Sequence, residues 1–285
     1  MVPVNDCTHK EGSQGMTENQ VSPTKAKVHL YYKNGSIMPF EEDAYHEFKG
    51  HRDISVEDLP PWTQERRTSS DRASRRAVSR ALNGFLNTGR GGTCYLGVTD
   101  KGVVHGLKLT GYQKDHVVGD LDDLMNRYNP PVKRHRYKVR FVPVVDQDAT
   151  EAEILQQSQN DGDLSVLEER QRPHQFRSHK YCWCDKDLRA QYNCGIIPTD
   201  YVIEISIKPW DSLDPRNHDD GCGSFSCLHP YHEDEEGHLY FRRQASLARY
   251  TMTEMAMLTK QEARERCEET IKRLREEISA LKLAH

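Results

Sequence analysis

Phe85-Leu86-Asn87-Thr88-Gly89-Arg90-Gly91-Gly92-Thr93-Cys94-Tyr95-Leu96-Gly97-Val98-Thr99-Asp100, running on to Val104-His105-Gly106-Leu107, is the stretch that decides the fold. It begins inside a helix, because Val78, Ala81, Leu82, Phe85 and Leu86 recur at three- and four-residue steps between Asp71 and Asn87 and so share one buried face. Asn87-Thr88-Gly89 ends that helix, with Gly89 suited to a left-handed cap. Thr93 to Val98 is an apolar run of strand length, Thr99-Asp100-Lys101-Gly102 a turn, and Val103 to His105 the returning strand. The expected unit is a helix packed behind a hairpin.

Working outward, residues 1–26 mix Ser, Thr, Gln, Gly, Asn and Pro without period and predict a disordered arm. Order begins at Lys27, where Val28, Leu30 and Tyr32 alternate as a strand before the Asn34-Gly35 turn. An acidic stretch from Glu41 to Lys49 leads into a polar insert at 51–70 that contains Pro60-Pro61. Beyond the central unit, a helix is expected over His116 to Arg127, stopped by Asn129-Pro130-Pro131. Tyr137, Val139, Phe141 and Pro143 then alternate as a strand, 146–178 is a second polar insert, and strands return at Tyr201 to Ile207 and His238 to Arg242. From Lys260 to Lys282 the chain is a helix, with Cys267, Ile271, Leu274, Ile278 and Leu281 stepping by four, three, four and three. That seam covers about two heptads, so packing on the body or on a partner subunit is expected rather than a free coiled coil. The organisation is an arm (1–26), one domain (27–258) and a C-terminal amphipathic helix (259–285), and the fold class is α+β with a mixed or antiparallel sheet and packed helices.

With 35% apolar against 29% charged residues, the core should be modest and the surface long and solvated. No run approaches membrane-spanning length and Met1 to Gln20 lacks the apolar centre of a signal peptide, which predicts a cytoplasmic or nuclear protein. A reducing compartment makes metal binding the main alternative to free thiols for the eight cysteines. The net charge of −4 does not announce a nucleic-acid binder, although a local basic surface is what contacts phosphate.

The 85–107 stretch resembles the AlbA_2-type domain of the Schlafen and Schlafen-like family: a helix ending in Phe-x-Asn-Thr, a Gly-Gly turn, a strand to Gly-Val-x-Asp and a Gly-Leu soon after. Upstream, Glu42 and Glu47-Phe48-Lys49 are similar to its Glu-x-x-x-x-Glu-Phe-Lys signature, and Tyr240-Phe241-Arg242-Arg243-Gln244-Ala245-Ser246 resembles the strand and small-residue turn that closes the domain. A single-domain, Schlafen-like protein is the nearest likeness; the chain departs from the usual spacing through its two polar inserts and carries no helicase phosphate loop.

The resemblance implies a metal-dependent endoribonuclease, or a subunit of one, acting on structured or small RNA such as tRNA or small-RNA precursors, with Mg²⁺ or Mn²⁺ held by Glu42, Glu47 and Asp100. Hard cations prefer carboxylate oxygens and can neutralise the charge that develops as a phosphodiester is hydrolysed. A spacing of five does not put Glu42 and Glu47 on one face of a regular strand, so a bend near Asp43-Ala44 is required, and the plain alternative is a solvated acidic loop. Lys49 could meet the scissile phosphate or form an ion pair.

Arg72, Arg76 and Arg80 lie four residues apart on the predicted helix, and either track phosphate or make a solvated face. Lys133, Arg134, Arg136, Lys138 and Arg140 form a second basic strip, with Tyr128 and Tyr137 able to stack on bases. Cys182-Trp183-Cys184 with Cys222 and Cys227 resembles the family's zinc-binding element, a structural Zn²⁺ site for which Cys194, His179 and His229 are competing ligands and buried free thiols the alternative. The expected partners are RNA and either a second copy or a related Schlafen-like subunit bound through the C-terminal helix. Two other functions remain open: a nucleic-acid-binding module without catalysis, and an ATP-binding protein using Asn87 to Gly92, which is weaker because the carboxyl end of a helix presents carbonyls.

Overall fold

The computed structural model describes residues 31–54, 76–154, 173–176, 182–217 and 228–283. The N-terminal arm, Arg72, His179, Cys222, Cys227 and most of both inserts lie outside the described residues. The main sheet is mixed. Its strands run β1 (Tyr32–Lys33), β5 (Tyr137–Val145), β6 (Asp200–Ile207), β3 (Gly92–Leu96), β2 (His46–Lys49), and β4 (Leu107–Lys108) pairs with β6 beyond the end of β3. β1 is parallel to β5 and β2 to β3, whereas β6 is antiparallel to all three of its neighbours.

β6 is the central strand, and both its faces are covered. Ile203, Ile205 and Ile207 join the larger core, while Val202 joins a smaller one with Met38, Phe48, Tyr95, Val98, Val104 and Val144. The larger core lies under helices α1 (Ala77–Asn87) and α2 (Gly111–Arg127). Leu82, Phe85 and Leu86 on α1 are fully buried, each contributing roughly 1.5–3 kcal/mol. Gly89 takes the left-handed conformation expected of it, with φ +69°. The returning strand after Asp100 shrinks to two isolated bridges, Val98 with Val104 and Ile37 with Val103.

α2 starts at Gly111 rather than near His116, because Thr110 and Gln113 form a capping box: each side chain accepts the other's backbone N–H at 3.2 Å. A second hairpin, β7 (Leu239–Arg243) with β8 (Ser246–Tyr250), packs on α1, and its return strand was not expected. Gly84 permits that packing, since a Cβ there would sit 2.6 Å from Leu247 Cδ2 and 3.3 Å from the Arg242 N. A short helix α3 (Trp183–Asn193) lies beside α2, and α4 (Met252–Leu283) closes the chain. α4 begins eight residues before Lys260, again at an unread box, in which the Thr251 and Glu254 side chains satisfy each other's N–H groups.

Candidate active cleft and metal centre

The acidic stretch makes the bend that its spacing demanded. Tyr45 and His46 donate their backbone N–H groups to Asp43 Oδ1 at 2.7 and 2.8 Å, an Asx turn that reverses the chain ahead of β2. Glu42 is folded back until its Oε1 accepts the Phe48 N–H at 2.9 Å, while Glu47 and Lys49 share one face of β2. The Lys49 ammonium stands 2.5 Å from Glu47 and 3.8 Å from Glu42. The other oxygen of Glu47 accepts from Arg242, whose guanidinium also donates to the carbonyls of Asp43 at 2.7 Å and His46 at 2.9 Å.

Burial raises the Glu42 carboxyl, an effect the Phe48 N–H opposes and the Glu47 charge reinforces. Burial works against the Lys49 ammonium, yet the Glu47 carboxylate beside it carries the net shift upward, so Lys49 stays charged. Asp100 is exposed and lines with Glu42 an open cleft of about 510 Å³, walled by Ile37, Phe40, Phe48 and Gly102. Glu42, Glu47 and Asp100 do not form a ligand group within 4.8 Å; among the described residues one His/Cys group does. The donors have the hard-oxygen chemistry a divalent cation takes, and three carboxylates against Lys49 and Arg242 leave one negative charge for it. His51, which the sequence reading passed over, feels both Lys49 and Asp100.

The basic residues need correction. Arg76 is not on a phosphate-tracking ridge: it is buried and paired with Asp234 at 3.2 Å, Glu235 at 3.6 Å and Glu236, because the turn ahead of β7 covers the start of α1. Arg80 is half-buried, 5.3 Å from the centroid of the Tyr240 ring. Arg136 is buried over Trp210, donates to the Lys208 carbonyl, and is pushed down to about 10 by that burial. Lys133 binds the Asn217 carbonyl at 3.0 Å. Arg134, Lys138 and Arg140 keep exposed faces, although Arg140 is paired with Glu204. Tyr128 and Tyr137 cannot stack on bases, since both are core residues whose hydroxyls bond to Ser79 and Asp122.

The glycine loop proposed for ATP is filled by the protein itself. A Cβ at Gly91, where φ is +72°, would meet the Ile207 carbonyl oxygen at 2.5 Å, and one at Gly92 would meet the Phe85 ring at 2.3 Å. Asn87 is likewise committed to structure, donating to the carbonyls of His232 and Tyr240 and accepting the His232 N–H.

The cysteines gather at a second centre. His116 on α2, His174 from the insert, and Cys182 and Cys184 at the start of α3 place one ligand atom each within 4.8 Å of one another, a group that could hold a metal ion. His116 Nδ1 is 3.6 Å from Cys184 Sγ and 3.3 Å from His174 Nδ1, which lies 3.5 Å from Cys182 Sγ. His174 Nε2 meets Asp115 Oδ2 at 3.2 Å, the outer carboxylate that orients a ligating imidazole. Burial, with Arg52 and His174 adding to it, lowers His116 to about 4 and keeps its ring neutral, while burial raises the Cys184 thiol. His174 stacks on Trp183, with centroids 5.0 Å apart, and Gly119 makes room for Phe176, whose Cζ would be 2.5 Å from a Cβ there.

Two of the expected cysteines, Cys182 and Cys184, thus belong to this group, and two histidines join them. Cys194 is exposed and lies outside the group, and His229 bonds instead to the Leu86 carbonyl at 3.0 Å. His116 and His174 carried no spacing motif; the available signal was a histidine on the apolar face of a helix, in phase with Leu124 and one step from Val117. Arg52 joins the two sites, following β2 by three residues and pairing with Asp185 of α3. Among the described residues no helix is long and apolar enough to cross a membrane. No protein-family model matches the chain.

Proposed function

We propose that this chain is a Schlafen-like, Mg²⁺- or Mn²⁺-dependent endoribonuclease, or the catalytic subunit of one, working at the cleft between β2 and Asp100. One juxtaposition carries the reading: Glu42 and Asp100 line the same open cleft, and Glu42 shares the Lys49 ammonium with Glu47. A divalent ion held by Glu42, Glu47 and Asp100 would supply charge neutralisation and an activated water. Burial raises the Glu42 carboxyl, which suits it to accept a proton. Lys49 offers a fixed positive charge to a phosphate oxygen, and Arg242 holds Glu47 and the turn at Asp43 in place.

The test is cleavage of end-labelled small structured RNAs by the full chain with Mg²⁺ or Mn²⁺. Asp100→Asn and Glu42→Gln are the informative variants, because Glu47 is bonded to Arg242 and its loss would disturb folding as well. Each should lower the cleavage rate about a hundredfold or more while leaving the melting temperature in place. Undiminished cleavage by both variants would reject catalysis here. The second reading, a binding module, is favoured by the way Lys49 and Arg242 already neutralise Glu47; RNA retention without cleavage by the unaltered chain would select it.

For the His/Cys centre the proposed ion is Zn²⁺ in a structural role. Two imidazoles and two thiolates are a donor set that zinc takes tetrahedrally, and four protein ligands leave no position for a reacting water.

A further inference from the structure

We propose that Cys267 to Leu281 form a parallel two-stranded coiled coil with a second copy of this chain. Helix α4 has two halves. Up to Arg266 it rests on the body: Met255 is buried against Leu239 and Phe241, Leu258 packs beside them, and Glu262 Oε1 accepts the His229 N–H at 3.1 Å. From Cys267 to Lys282 every residue is exposed, including Ile271 at 47%, Leu274 at 46%, Ile278 at 52% and Leu281 at 64%. The expected packing of this seam on its own body is therefore not what the structure has. At 1.5 Å per residue the bare half extends about 24 Å, and a helix of that length without tertiary contacts is marginal in water.

The seam itself says what covers it. Ile271 and Ile278 take the a positions of a heptad, and Cys267, Leu274 and Leu281 the d positions. β-branched residues at a with leucine at d favour two parallel strands. Upstream the same register would place Lys260 and Arg264 in the seam, which ends the repeat where the body takes over. The flanking charges agree. In a parallel pair Glu277 at g faces the partner's Lys282 at e, twice by symmetry, and Thr270 faces the partner's Arg275, so no like charges meet. An antiparallel pair with the same apolar layers would set Arg275 against the partner's Arg275 and Glu277 against the partner's Glu277.

Sedimentation equilibrium of the full chain should show a concentration-dependent monomer–dimer equilibrium. Leu274→Glu and Ile278→Glu should each raise its dissociation constant about a hundredfold or more, since the dimer would bury two unpaired charges, while Ser279→Glu, off the seam, should not. Orientation is read by mild oxidation in a Cys194→Ser background, where a parallel seam sets Cys267 against its own copy and gives a covalent dimer that Cys267→Ser abolishes. A chain that stays monomeric at every concentration overturns the proposal. So does a dimer indifferent to both seam substitutions, a dimer equally weakened by Ser279→Glu, or one that Cys267 never cross-links.

Discussion

The junction of α1 with the β7-β8 hairpin and the junction of α2 with α3 both join segments distant in sequence, but by opposite means. At the first, Asn83 and Asn87 satisfy the backbone of His232 and Tyr240 through five hydrogen bonds of 2.7 to 3.1 Å, and Arg242 crosses from the hairpin to the turn ahead of β2. The chain's own side chains complete that interface, so the surroundings of Glu47 are built before any ligand arrives. At the second, α3 buries one residue, Cys184, and an eleven-residue helix with so little apolar contact gains little from packing. Among its links to the rest are the His/Cys group, the Asp185 contacts with Arg52 and Gln113, the Tyr112–Trp183 edge contact and the Trp183 contacts with Pro173 and His174. One junction is specified by burial and hydrogen bonds, the other by few contacts and a His/Cys group that could hold a metal ion.

Removing the ion, or the ligand by Cys184→Ser, is the strongest way to break this contrast. The expected outcome is one divalent ion per chain in the untreated protein. After chelation, hydrogen exchange of the α3 amides should fall to an opening free energy of about zero, while α1 and β7 stay protected. Equal loss at both junctions would show that the first also depends on the ion.

Acid should come next, and at the first junction it acts through His232. His232 is 3% exposed and donates from Nδ1 to the Pro130 carbonyl at 2.6 Å; burial, with Arg136 adding to it, lowers it to about 4 against that bond. A folded-state value below the unfolded 6.5 means that the unfolded chain binds the extra proton between those values. Stability is therefore complete above pH 6.5 and falls as pH drops toward 4, by roughly 3 kcal/mol for this one group. Urea midpoints measured across that window, compared with those of His232→Gln, should show a flatter profile in the variant.

Asn87→Ala sharpens the contrast with a smaller effect. It removes the bonds to the His232 N–H and the Tyr240 carbonyl, while Asn83 still holds the His232 carbonyl, and should lower the unfolding free energy by about 2 kcal/mol in chemical denaturation, with the metal content unchanged.

Periodicity and turn chemistry, which are local, placed α1, its glycine cap, β5, β6 and the seam of α4 in the sequence. Capping boxes at Thr110 and Thr251 were equally local but unread, and they account for the early starts of α2 and α4. β8 was missed because Gln244-Ala245, with Gln244 at φ +53°, carries no glycine to mark the reversal. The acids of the cleft were legible as residue types at a suggestive spacing, and the need for a bend at Asp43 could be reasoned out. Nothing in the spacing could reveal that Arg242, far along the chain, would bond to Glu47.

What the sequence by itself determined is the α+β class, the pairing of a glycine-capped helix with the strand behind it, and the heptad spacing of the tail, because each depends on residues within a turn or two of one another. Only the tertiary structure decided which charges face solvent and which histidines join the cysteines. Arg76, Arg136, Tyr128 and Tyr137 read as a nucleic-acid surface along the chain, yet they are buried once the hairpin and the sheet close over them. Burial and coordination are relations between segments many residues apart, and no local pattern encodes them.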